Sequence, residues 1–139
     1  MSQTNPANDE IDSDFPAEFW QGVEQFNAGE YYACHDTLEA IWIEAPEADK
    51  KFYQGILQIA VALYHLGNKN LRGAVILLGE GSNRLRAYPG DYAQLDISDF
   101  IQQAIDLLTD LQTHDPQHPL PPEPEGFKIR RLQTDPDLC

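Results

Sequence analysis

Residues 52–68 read FYQGILQIAVALYHLGN. Phe52, Ile56, Leu57, Ile59, Val61 and Leu63 leave a helix built here apolar nearly all round. Such a helix belongs at the centre of a bundle, covered on several sides. Pro46 precedes it and Gly67-Asn68 stops it, so it should run from about Glu47 to Leu66. One stripe interrupts the apolar surface. Gln54, Gln58 and His65 fall at about 0, 40 and 20 degrees around the axis, with Val61 between them.

Working outward, the stretch FNAGEYYACHDTLEAIW at 26–42 predicts a second helix from about Glu30 to Glu44. It carries His35, Glu39 and Trp42 at i, i+4 and i+7 on one face, bordering the apolar Cys34, Leu38 and Ile41. Upstream, Asp14, Pro16 and Glu18 form a helix-start signal. The first helix then presents Phe19, Val23 and Phe26, with Trp20 beside them, and Asn27-Ala28-Gly29 ends it. Downstream, a fourth helix carries Leu71, Val75, Leu78 and Leu85 and finishes before Pro89-Gly90. A fifth begins near Asp96 and repeats Ile97, Phe100, Ile101, Ala104, Leu108 and Leu111. No stretch alternates with period two long enough to be a strand.

The expected fold is therefore all-α, a single-domain bundle of about five helices over residues 15–112. A disordered acidic leader, 1–14, precedes it. A proline-rich extended arm, 113–139, follows, and it reads equally as a floppy tail or as a segment laid across the bundle through Phe127, Ile129 and Leu132. A faint echo about 41 residues apart pairs Ala33 with Ala74 and Glu39 with Glu80, as tandem helical hairpins of the tetratricopeptide sort would.

The chain of 139 residues carries 9 Lys and Arg against 23 Asp and Glu, a net charge of −14. That surface repels phosphate backbones and anionic membranes, so neither nucleic acid nor a membrane is an expected partner. With no signal peptide, no apolar run of spanning length, and Cys34 and Cys139 too few for a disulfide framework, the expected setting is cytoplasmic. Trp20, if it projects from the core stripe, offers a surface for a homodimer.

A short turn joins the second and third helices, which predicts that they lie antiparallel. That pairing brings His35 toward Gln58, Glu39 toward Gln54 and Gly55, and Tyr31 toward His65. Three functions suit this arrangement. The favoured one is a non-enzymatic binding domain for a protein or small ligand, with Tyr31, His35, Glu39, Trp42, Gln54, Gln58 and His65 as a hydrogen-bonded polar seam and no cofactor. The alternative is a metal-dependent hydrolase, in which His35, Glu39 and His65 hold a divalent ion that activates water. A second alternative is a helical-hairpin adaptor. Cys34 reads as a small buried residue, because its neighbour His35 points about 100 degrees away. Glu80 and Arg84 read as a surface ion pair, and Gly73, Gly79 and Gly81 ask for a close neighbour. His114 and His118 read as a solvated loop with weak chelating capacity.

Three linked motifs give a resemblance over about residues 18–90. They are Phe26, Asn27 and Gly29, then His35, Asp36, Glu39 and Trp42, then Gln54, Gly55, Gln58 and Ala60. In that order they resemble the family catalogued as domain of unknown function 309, small bacterial and archaeal proteins. The family more often has Glu where this chain has Asp36. The resemblance implies an all-helical fold and no particular activity. The loose label of metal-dependent hydrolase attached to relatives follows from the His and Glu positions. The fifth helix and the arm lie outside the matching core.

Overall fold

A computed structural model describes residues 15–132; the expected leader, 1–14, and the end of the arm lie outside the described residues. Five helices follow one another: α1 (Ala17–Asn27), α2 (Tyr31–Trp42), α3 (Glu47–Gly67), α4 (Leu71–Leu85) and α5 (Ile97–Gln112), with a short 3-10 turn at Tyr92–Gln94 before α5. The protein is all-α, and among the described residues no helix is long and apolar enough to cross a membrane.

The boundaries have local causes. Gly29 adopts φ 80°, a left-handed conformation that costs glycine little, and it closes α1 at the Asn27-Ala28-Gly29 break. Asn70 caps α4 by accepting from Gly73 N at 2.9 Å, and Asp96 caps α5 by accepting from Asp99 N at 3.0 Å. α3 is buried through Phe52, Tyr53, Ile56, Ile59, Ala60, Leu63 and Leu66, and it packs against both α2 and α4. Burying each large side chain of that set contributes about 1.5–3 kcal/mol.

The first and last helices also meet. The Phe26 ring lies 5.2 Å from Phe100 and 5.7 Å from Phe127. A shared aromatic core thus joins α1, α5 and the arm. An open array of helical hairpins has no such closure, so the internal echo does not make this chain a solenoid.

Two side-chain amides hold the arm. Asn27 Nδ2 donates to Ile129 O at 2.8 Å, and Ile129 N donates back to Asn27 Oδ1 at 2.7 Å. Gln103 repeats the pattern with Lys128, its Nε2 donating to the carbonyl at 2.8 Å and its Oε1 accepting from the amide at 3.0 Å. Each amide does for the arm what a neighbouring strand would do, satisfying backbone groups that would otherwise be stranded beside a buried surface. Phe127 and Ile129 are buried beneath these bonds, whereas Leu132, expected to dock with them, is exposed. Trp20 is no bare dimer face. Phe19 and Phe15 pack on its ring, and the Arg131 guanidinium lies 4.0 Å from the ring centre.

Candidate functional site

Of the polar stripe of α3, Gln58 and His65 face α4 and the turn before it, where α2 had been expected, and Gln54 is half-buried. Gln58 sits between the two charged residues of α4: its Nε2 donates to Glu80 Oε1 at 3.2 Å, and its Oε1 accepts from Arg84 Nε at 3.0 Å. Glu80 and Arg84 are therefore bridged by an amide from another helix, in place of the simple surface pair. His65, one end of the stripe, approaches Asn70, with Asn70 Nδ2 3.4 Å from its Nδ1. Because Asn70 also caps α4, His65 is tied to the turn between α3 and α4.

The helix backbones come close because glycines face each other. A Cβ added to Gly55 would lie 2.8 Å from Leu85 Cδ2 and 3.2 Å from Gly81 O; one added to Gly81 would lie 2.8 Å from Gly55 O. Gly55 therefore admits α4, and the expectation that it admits α2 is corrected. Gly73 has the same role at the other end, where a Cβ would meet the His65 ring at 2.8 Å. Gly79 is less constrained, with Leu108 Cδ2 at 4.0 Å.

On the other flank, α2 turns Tyr31, Cys34 and Leu38 into the core. Tyr31 stacks edge-on against Phe26 at 5.2 Å. It is Tyr32, one residue on, that meets α3, with its ring 5.2 Å from Tyr64 and 5.8 Å from His35. His35 has no bond to Gln58 or His65. Its Nδ1 lies 3.3 Å from Asp36 Oδ1 and its Nε2 lies 3.9 Å from Glu39 Oε2, with the carboxylate side chains 60% and 59% exposed. Glu39 does not reach Gln54 or Gly55. Trp42 ends the face at half-burial with the Lys50 ammonium 5.4 Å over its ring, and its buried Nε1 has no partner.

This flank changes the ligand set. One ligand atom each from His35, Asp36 and Glu39 lies within 4.8 Å of the others, and His65 is not in that group. Asp36 was not among the expected ligands, and ideal helical geometry sets it about 100 degrees from His35. At an exposed margin a short carboxylate can swing back to the ring, and here it does. The two carboxylates approach opposite ring nitrogens. A single ion takes only one nitrogen of an imidazole, so one carboxylate would have to turn for all three groups to converge.

Cys34 is fully buried, and burial pushes its thiol up to about 12, against a smaller opposing effect of a hydrogen bond to the Phe26 backbone. Such a thiol is inert. In the arm, His114 contacts the His118 carbonyl at 2.9 Å and His118 contacts Asp115 at 3.1 Å, local bonds of a folded loop. Tyr32 and Tyr64 form part of the site without having been singled out. Their signal was two aromatics at positions that the α2–α3 register brings opposite each other.

The fold and this face define a small helical bundle with a histidine, two carboxylates and two tyrosines on one outer edge. Residues 19–77, less than half of the chain, match the family model described as Domain of unknown function (DUF309), and over that segment the chain is similar to the members of that family. It is 35% identical over 75 residues to the uncharacterized protein YpuF of Bacillus subtilis (strain 168), a stretch covering 52% of this chain and 43% of that protein. The chain thus spans less than half the length of this curated relative. The matched segment includes the whole α2 face and stops in α4 before Glu80, Gly81 and Arg84.

Proposed function

We propose that this protein is a non-enzymatic, cytoplasmic binding domain, and that the outer edge of α2 with Tyr64 of α3 receives a basic segment of a partner protein. The observation that supports it is the continuous run of Tyr64, Tyr32 and His35, with ring separations of 5.2 and 5.8 Å, flanked by the Asp36 and Glu39 carboxylates. Tyr32 is 55% exposed and Tyr64 40%. Exposed, mutually supported tyrosines lose little side-chain entropy on contact and are common binding anchors. A lysine or arginine laid across them gains both a ring face and a carboxylate. The charge of −14 favours encounter with such a partner. No cofactor, nucleic acid or membrane belongs to this reading.

Titration with a short capped arginine-rich peptide, followed by proton resonances of the tyrosine and histidine rings, tests it. Shifts should centre on Tyr32, His35 and Tyr64, and Tyr32→Ser with Glu39→Lys should remove them. Shifts spread evenly over the acidic surface and unchanged in that variant would sink the reading.

A metal-dependent hydrolase is the second reading, favoured by the approach of His35, Asp36 and Glu39 ligand atoms to within 4.8 Å. Metal content of protein purified without a histidine tag separates the two. A stoichiometric ion that His35→Ala abolishes favours the hydrolase.

A further inference from the structure

A second feature lies away from the α2 edge, outside the family motifs. Between the start of α1, the start of α3 and the loop leading into α5 is an open cleft of about 540 Å³, lined by Phe15, Trp20, Asp49, Asp91, Tyr92, Ala93 and Gln94. Its walls are aromatic. The Phe15 and Tyr92 rings stand 6.0 Å apart, nearly perpendicular, and Phe15 meets Trp20 at 6.5 Å. Its charged groups, Asp49 and Asp91, are acidic. Asp49 Oδ1 accepts from Tyr92 Oη at 2.8 Å, and Asp91 is exposed at the rim. The cleft residues include no lysine, arginine or histidine.

We propose that this cleft binds a small organic cation, an alkylammonium or guanidinium compound. A volume of this size suits a metabolite-sized ligand. Aromatic faces combined with carboxylates attract a soft cation, through the ring quadrupole and the opposite charge together. The Arg131 guanidinium already takes the Trp20 ring, 4.0 Å from its centre, so a bound cation would rest on the Phe15 and Tyr92 rings. The rim is also built at a conformational cost. Ala93 and Gln94 have φ 59° and 61°, left-handed values for residues bearing a Cβ. Two ties hold that loop in place: Tyr92 to Asp49 on one side, and Leu132 N donating to Gln94 O at 2.9 Å on the other. The negative charge of Asp49 is felt inside the cleft, where burial first and the Asp49 hydrogen bond second push the Tyr92 hydroxyl up to about 12.

The test uses the full chain with Trp42→Phe, so that Trp20 is the only indole reporter. Choline and agmatine are the two probes, titrated at constant ionic strength, and the uncharged carbon isostere of choline is the control. Saturable fluorescence change with a cation and none with the isostere is the expected result. Whichever cation binds more tightly identifies the head group as ammonium or guanidinium. Asp91→Asn, at an exposed position, should weaken binding about tenfold, equivalent to 1.4 kcal/mol. Asp49→Asn, which keeps an acceptor for Tyr92, should weaken it at least as much. Equal binding of the isostere, indifference to both substitutions, or no saturation beyond that of added sodium chloride would overturn the proposal.

Discussion

The two flanks of α3 are built on opposite principles. Toward α4, Gly55 and Gly81 bring the backbones together, and Gln58 bridges Glu80 and Arg84 across the contact. Toward α2, the core contact is made by Cys34 and Leu38, and the polar groups His35, Asp36 and Glu39 are left at the edge with partners on their own helix. Interhelical polar bonds beside a close backbone contact fix a register. Exposed pairs within one helix contribute little to folding, on the order of 0–1 kcal/mol. The first flank therefore holds the fold, and the second leaves its polar groups available for contact.

The largest break in this contrast should come from Gly81→Val. The added carbons have nowhere to go between Gly55 O and Ile59, each 2.8 Å from the Cβ position, and the expected loss is about 3 kcal/mol. Chemical denaturation measures it, and a loss under 1 kcal/mol would mean that the crossing yields easily.

Next comes the buried side of α2, through pH. The folded chain keeps the Cys34 thiol protonated up to about 12, above its ordinary value of 9.0. Stability from this group is full below pH 9 and is lost as pH rises through about 12. Tyr92 adds a similar loss only above its ordinary 10.0. Between pH 9 and 10 the slope of stability therefore belongs mainly to Cys34, and Cys34→Ala should flatten it. In a Cys139→Ser background the native thiol should also resist an aromatic disulfide reagent until the protein unfolds. Rapid reaction at neutral pH would place Cys34 outside the core.

Much of this was legible in the sequence. The helix starts and stops at Pro16, Gly29, Pro46, Gly67-Asn68 and Asp96 follow from capping and breaker chemistry, whereas the Asn70 cap was not read from the sequence. Tyr31 was set against His65, whereas Tyr31 packs on Phe26 and its neighbour Tyr32 lies against Tyr64. What failed was rotation about the α3 axis. A helix that is apolar nearly all round has no unique inner face, so periodicity cannot say which neighbour receives the Gln54–Gln58–His65 stripe. The missing clue lay on α4, where Gly73 and Gly81 alternate with Glu80 and Arg84 as a partner surface would. Asp36 was missed for a different reason: helical angles describe Cα–Cβ directions, and an exposed carboxylate is free to depart from them. Asn27 was read as a helix stop, and nothing local in the sequence reveals that its amide also clamps a segment about a hundred residues away.

The contrast between the flanks comes down to one comparison, the equilibrium stability of Gln58→Ala against that of the double variant His35→Ala with Glu39→Gln. Gln58→Ala removes both amide bonds to α4 and should cost about 1–2 kcal/mol. The double variant should stay within about 0.5 kcal/mol of the parent, as surface changes do. A loss of 2 kcal/mol or more in the double variant, with Gln58→Ala near neutral, would contradict this account and make the α2 edge a folding element.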